Sequence, residues 1–323
     1  MRTYVIRRAL INIPVIWLVC TMVFFAANVL PGDFVAQRIA LQNPISDNPQ
    51  LQEQQLNAIR KQLGLDKPIL ERYVLYLRDL LRGDLGESYE TRRPAIEGFI
   101  EGLPYTIQLS VMVLIIAVIT SIPIGVISAI RQDTIIDYVL RVIAITALAA
   151  PNFWVATMLL LYIVRYDLWT VELTRHPLLW EDPVASFKLF IIPAIAGGLA
   201  TGATVMRLLR STMLEVLRQD YIRTAWAKGL RERVVVMRHA LKNALIPVVT
   251  VIGLSVATLI SGNVVFEYIF NIPGVGNRVL RAINARDVPV LQAFVLLLAT
   301  SVVFVNLAVD LLYGVLDPRI RYS

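Results

Sequence analysis

Apolar residues run through this chain in long blocks separated by polar stretches, and the blocks fall at Ala9–Val29, Ile107–Ile130, Val139–Val164, Leu189–Met206, Leu245–Val265 and Leu291–Tyr313. At about 1.5 Å of rise per residue, blocks of about 20 residues are long enough to cross roughly 30 Å of hydrocarbon. The pattern therefore predicts six transmembrane helices. The first block follows Arg7 and Arg8, but it is too long for a signal-peptide core and has no small-residue cleavage site before Pro31, so it reads as a retained span.

Between the first two blocks, the period changes from continuous to helical. Leu51, Leu56, Ile59 and Leu63 share one face ahead of Gly64, and Ile69, Leu70, Tyr73, Leu77, Leu80 and Leu81 share a broad face ahead of Gly83. Ile96, Phe99, Ile100 and Leu103 form a third face, with Pro94 placed for a helix start. Three short amphipathic helices cannot bury a core of their own, so they must pack on the ends of the spans, on the membrane surface or on a partner. A structural cap and a partner-docking surface both fit. The chain thus reads as residues 1–102, one span plus an extracytoplasmic helical segment, and residues 103–323, a five-helix core.

The other informative interruption is residues 207–243. An amphipathic helix is expected over Arg210–Lys228, with Met213, Leu214, Leu217, Tyr221 and Ala225 on one face. Gly229 is placed to end it in a left-handed conformation. A second helix over Arg231–Ala244 then enters the membrane near Pro247. Nine Lys/Arg face three acids in this stretch, Glu215, Asp220 and Glu232. Two short helices joined by a glycine make a projection with an apolar tip and a basic rim. Anchoring on anionic headgroups and docking on a partner protein are both open on these residues alone.

Composition fixes the class. At 57% hydrophobic and a mean hydropathy of +0.64, 323 residues make a polytopic membrane protein. With the N-terminus inside, the inner segments carry sixteen Lys/Arg and the short outer ones six. Basic loops stay on the cytoplasmic side, so both termini are expected there. This asymmetry accounts for much of the net charge of +7, and nucleic acid is not implied.

Catalytic patterns are absent. The sequence holds no GxSxG, HExxH or CxxC and no phosphate-cradling GxxxxGK[ST]. Cys20 is the single cysteine and reads as a packing residue; His176 and His239 fall on opposite sides of the membrane and cannot share a metal. Arg141 and Asp310 are the charges inside the spans, each within about two turns of a cytoplasmic end; Arg141 reads as a snorkelling group and Asp310 as one paired with a neighbouring helix or loop. Asn152, Ser255, Asn263 and Asn306 are candidates either for lining a polar path or for joining helices, and Gly197, Gly198, Ala200 and Gly202 for close helix packing. Glu267 stands at the outer mouth of such a path. No repeated halves with broken helices appear, as an ion-coupled transporter would favour.

Motifs along the whole chain resemble those of the first of two permease subunits of oligopeptide, dipeptide and nickel ABC importers. They are RRALINIPV at 7–15, LPGD at 30–33, LGLDKPILERY at 63–73, LLRGDLGES at 80–88, LPYTIQLS at 103–110, EVLRQDYIRTAWAKGL at 215–230, RHALKNALIPVVT at 238–250, FNIPGVG at 270–276 and NLAVDLLYGVLDPRIRY at 306–322. The resemblance implies an all-α integral membrane protein of the type I ABC importer permease fold in a bacterial or archaeal cell membrane. Its cytoplasmic loop of the EAA type would couple to an ATPase through Asp220, Tyr221, Arg223, Thr224, Ala225, Lys228, Gly229 and Leu230. The implied partners are a homologous second permease, two cytoplasmic ATPases that hold ATP and Mg, an extracytoplasmic substrate-binding protein and membrane lipid. The chain itself would bind no cofactor and catalyse nothing, and the cargo would be di- or oligopeptides. Alternatives are nickel or another small solute as cargo, an ion-coupled secondary transporter without an ATPase, and a membrane scaffold. The chain departs from the EAA pattern at Arg223–Gly229, where the acid is absent and Trp226 occurs, and the outer segment 165–184 is unlike the usual short turn.

Overall fold

The computed structural model describes residues 2–29, 54, 57, 58, 61 and 66–316, without the side chains of 2–9, 28, 29, 261, 262 and 310–316. The described residues form helices α1 (Arg2–Val29), α2 (Ile69–Leu81), α3 (Ala95–Ile130), α4 (Ile135–Ala149), α5 (Asn152–Arg165), α6 (Pro183–Leu217) and α7 (Asp220–Ala227). A composite α8 follows, α-helical over Glu232–Val234, π-helical over Val235–Ala240 and α-helical again over Leu241–Gly262. Then come α9 (Val264–Ile269), α10 (Val275–Ala285) and α11 (Val288–Leu316). Among the described residues, five helices are long and apolar enough to cross a bilayer, or six if the bent pair α4–α5 counts as one span.

Three expectations need correction. The third face, Ile96 to Leu103, is not a separate short helix. It opens α3, which starts after Pro94 and continues through Pro104 for 36 residues. Gly102 does not stop it, because that glycine serves packing: a Cβ there would lie 3.0 Å from the Val275 backbone nitrogen. The third span is not straight. It bends by 100° between α4 and α5, since Pro151 removes a donor and holds Ala150 extended (ψ 131°). The helix expected over Arg210–Lys228 is two helices, α6 ending at Leu217 and α7 starting at Asp220, with Gln219 extended between them (ψ 149°). The face expected at Leu51–Leu63 lies outside the described residues.

The chain divides into two units, Met1–Leu103 with Gly274–Val303, and Pro104–Pro273 with Phe304–Ser323. In the first, α2 lays its tyrosines on α1: the Tyr73 hydroxyl pairs with Thr21 Oγ1 at 2.6 Å, and Phe24 packs against Tyr73 and Tyr76 at 5.3 Å. The start of α3 packs through Phe99 on Phe294 at 5.7 Å, and Glu101 accepts from Arg278 at 3.1 Å. Buried Asp287 holds the turn before α3. Its carboxylate accepts from the Ser88 hydroxyl and from the Tyr89 backbone N–H at 3.1 Å. Burial and that carboxylate hold the Tyr89 phenol above its usual pKa, so it stays neutral.

In the second unit, α6 is the central element. Its small residues admit α3 closely: a Cβ on Gly198 would meet Ile116 at 2.6 Å, and one on Gly202 would meet Thr120 at 2.9 Å. Glycine, which costs helix stability, is kept where a side chain would separate the pair. Three apolar clusters result among the described residues. One gathers Leu109, Val113, Phe190, Ile192, Phe266 and Phe270; another gathers the ends of α3 and α6 with α7 and α8; the smallest joins Ala144 of α4 to Ala203 and Met206 of α6.

Candidate functional site

An eight-residue helix is marginal alone, and α7 is held by what it buries. Ile222 and Ala225, three residues apart, share a face and enter the apolar cluster of Val126, Ala129, Leu209, Met213, Val235, Val236 and Ala240. Ile222 is fully buried, and it occupies the place expected for Tyr221. Tyr221 instead lies half-exposed, its hydroxyl accepting from Asn243 Nδ2 at 2.8 Å. Asn243 thus ties α7 to α8, a role the sequence reading did not assign.

The C-terminus of α7 closes through Gly229 at φ +73°. Its N–H reaches Trp226 O at 2.9 Å, and the Leu230 N–H reaches Ala225 O at 3.4 Å. These two bonds are the Schellman pattern, and Leu230 packs back on the same apolar cluster as Ala225. The rest faces outward. Asp220, Tyr221, Arg223, Thr224, Trp226 and Lys228 are exposed, as are Arg231, Arg233, Val234, Met237 and Arg238 beyond the turn. Arg223 and Asp220 approach only to 3.5 Å with 76% and 96% of their side chains exposed, an ion pair of little energetic weight. Of the eight predicted coupling residues, the structure exposes Asp220, Tyr221, Arg223, Thr224, Lys228 and Gly229; it buries Ala225 and half-buries Leu230.

Beside this cluster lies a polar one that the sequence reading missed. Asp137, fully buried near the start of α4, accepts from the Ser128 hydroxyl on α3 and from the Asp133 backbone N–H at 3.1 Å. Arg210 of α6 donates to both its oxygens, Nε at 2.9 Å and Nη2 at 2.8 Å. Arg141 adds an ion pair at 3.6 Å while its guanidinium lies 4.5 Å from the Tyr138 ring centre. Arg141, expected to snorkel, thus also pairs with an acid one turn before it. The one available signal was the acid-to-Arg spacing of four from Asp137 to Arg141 on a helix.

The predicted pathway residues do not converge. Asn152 is exposed at the start of α5, and Ser255 is half-buried with its hydroxyl on Val251 O at 2.8 Å. Asn263 and Glu267 are buried, at 2% and 0% exposure. They stand four apart and meet a matching pair on α3: Asn263 Nδ2 donates to Ser110 Oγ at 2.8 Å, and Thr106 Oγ1 donates to Glu267 Oε1 at 2.6 Å. Next to them, Gln108 donates to Ser186 Oγ and accepts from the Leu179 N–H.

Comparison with known families places the chain. Residues 121–322 match the binding-protein-dependent transport system inner membrane component, and residues 1–110 match the N-terminal region of such membrane components. The chain is 38% identical over 345 residues to the dipeptide transport system permease protein DppB of Escherichia coli (strain K12), and all of both chains is covered. It is 38% identical over 344 residues to the DppB of Alkalihalophilus pseudofirmus, again covering both chains completely. With the glutathione transport system permease protein GsiC of Escherichia coli (strain K12) it shares 35% over 323 residues and the full length of each. The chain belongs to the binding-protein-dependent transport system inner membrane component family, whose members are permease components of ABC transporters.

Proposed function

We propose that this inner-membrane permease component forms half of the translocation pathway of a peptide importer, with both termini cytoplasmic and a homologous permease forming the other half. Residues 220–230 seat in a groove of one of two cytoplasmic ATPases, which hold ATP and Mg. The observation that carries this reading is the two-sided character of α7: Ile222 and Ala225 fix it to the permease core while Tyr221, Arg223, Thr224 and Lys228 face away from it. A helix held only by anionic lipid has no need of a glycine-capped seat on a core of three other helices. Relatives named for dipeptide and glutathione transport support a peptide cargo.

Substrate arrives from an extracytoplasmic binding protein that contacts residues 31–102 and the 263–289 loop. Exposed Leu70, Val74 and Leu81 on α2 and the amphipathic α10 supply apolar contact area there. Weakly polar groups line the pathway, since cargo with variable side chains is poorly served by fixed charges. Asn152 and Ser255 hold surface for this role; Asn263 and Glu267 join it when α8 and α9 part from α3.

Purification in mild detergent tests the reading. The chain should elute with a homologous permease and two ATPases, and a binding protein loaded with peptide should stimulate ATP hydrolysis in proteoliposomes. A lone chain or homodimer that carries peptide without ATP would overturn it.

A further inference from the structure

We propose that Asp137 is a positioning residue that fixes the register of α4, and through it α5, to the end of α6 that carries the coupling helix. The inference rests on the coupling role given above to residues 220–230.

Its basis is the contrast between the two ways α4 is held. Along α6, the contact is an apolar seam, Ala144 of α4 against Ala203 and Met206 of α6 with Leu140, Ala147 and Leu148 of α4 packed beside it. Apolar contact of this kind is non-directional and resists separation more than it fixes register. The Asp137 carboxylate sets it. One fully buried group collects donors from the end of α3, from the α3–α4 turn and from α6, and both of its oxygens are taken by the Arg210 fork. Replacement of a buried ion pair by well-packed apolar side chains is often neutral or stabilising, so stability alone does not explain its presence; fixing register is the best-attested use of such groups.

The placement gives the register a function. Arg210 lies between Leu209 and Met213, which form the seat of Ile222 and Ala225. A displacement of α7 is thus delivered to the end of α6 within one helical turn of Arg210. From Asp137, the rigid α4 leads to the 100° bend at Pro151 and to Asn152, the exposed first residue of α5. Coupling helix, clamp, α4 and bend form one connected series. With the clamp removed, α6 moves and α4 slips along its apolar seam.

The test uses the whole complex in proteoliposomes, with a cysteine at Asn152 in a Cys20→Ala background. Labelling by a small aqueous thiol reagent is compared between nucleotide-free and ATP–vanadate-trapped states. The background should show a nucleotide-dependent difference at position 152. Asp137→Asn keeps the shape and the acceptor for Ser128 but drops the charge; Asp137→Leu/Arg210→Met replaces the pair with apolar side chains that let the protein fold. Both should retain the ATPases and hydrolyse ATP yet lose the difference at 152, and Arg210→Lys, which keeps the charge without the fork, should retain part of it. A double variant that assembles, hydrolyses ATP and shows the full difference overturns the inference, as does a background with no difference. Failure of the background complex to hold its ATPases refutes the coupling reading itself.

Discussion

Replacing Gly229 separates protein docking from lipid anchoring at residues 220–230. The residue sits at φ +73°, and a Cβ built there meets nothing within 4 Å. The cost of a side chain is therefore backbone strain without a clash, about 1–2 kcal/mol for a non-glycine residue in this region. Asn tolerates the conformation best, Ala bears the ordinary cost and β-branched Val bears most. A shift of one or two kcal/mol changes a two-state ratio by about 5–30-fold. The loss falls on the two bonds that close α7, from Gly229 N–H to Trp226 O and from Leu230 N–H to Ala225 O, and so on the tilt of the outward face. The series Gly229→Asn, Gly229→Ala and Gly229→Val should thus reduce ATPase co-purification and peptide-stimulated hydrolysis in that order, with the permease still in the membrane. Removing Arg231 and Arg233 tests the competing account, in which headgroup attraction of about 1 kcal/mol per basic residue holds the segment. Full retention and stimulation in Gly229→Val, with loss on removing the two arginines, would sink the coupling assignment.

The pathway assignment predicts graded labelling of single cysteines in a Cys20→Ala background: position 152 should react in the nucleotide-free state, position 255 more slowly, and 263 and 267 only after α8 and α9 leave α3. Labelling of none of the four in either nucleotide state would show that they serve packing. Crosslinkers at Arg78 and Arg281, both exposed, and at Arg60 should capture the binding protein from a transporting complex, and failure at all three would count against docking there. Asp287→Ala strips the acceptor from Ser88 and from the Tyr89 N–H, at about 1–3 kcal/mol for each buried group left unpaired. Limited proteolysis should then nick residues 84–93 faster while ATPase retention is unchanged; an unaltered cleavage rate would remove Asp287 as the holder of that turn.

Where local chemistry and tertiary packing agreed, the sequence was legible. The period of α2, the span near α11 and the turn at Gly229 all follow from side-chain spacing and backbone freedom. Hydropathy blurred the rest because it ignores direction. It joined Val139–Val164 into one span although Pro151 marks the bend, and it cut the third span after Asp137, which left the most heavily bonded carboxylate among the described residues outside the search for buried charge. The partner of Glu267 was not legible, because nothing local shows that Thr106, 161 residues earlier, meets it. Gly102 and Pro104 both lie inside α3 although each disfavours a helix interior, and at Gly102 the close approach of residues 274–275 leaves no room for a side chain.

The two faces of α7 lead to a prediction that a purely structural helix would not satisfy. Ile222 is fully buried among side chains of α3, α6 and α8, and Ile222→Ala removes buried volume at about 2–5 kcal/mol, a cost borne by the seat alone. Arg223 makes only a long contact to Asp220, so Arg223→Ala should leave the free permease as stable as before. If the outward face is what an ATPase holds, Arg223→Ala weakens ATPase retention with no change in permease melting temperature. Ile222→Ala lowers that temperature and, in complexes that form, leaves ATP hydrolysis running without peptide movement, because the helix is gripped by the ATPase but no longer by α6 and α8. Parallel measurement of melting, retention and peptide carried per ATP distinguishes the faces. Equal loss of retention from both substitutions, with equal melting shifts, would mean that α7 acts as a single structural block and that its two sides have no separate tasks.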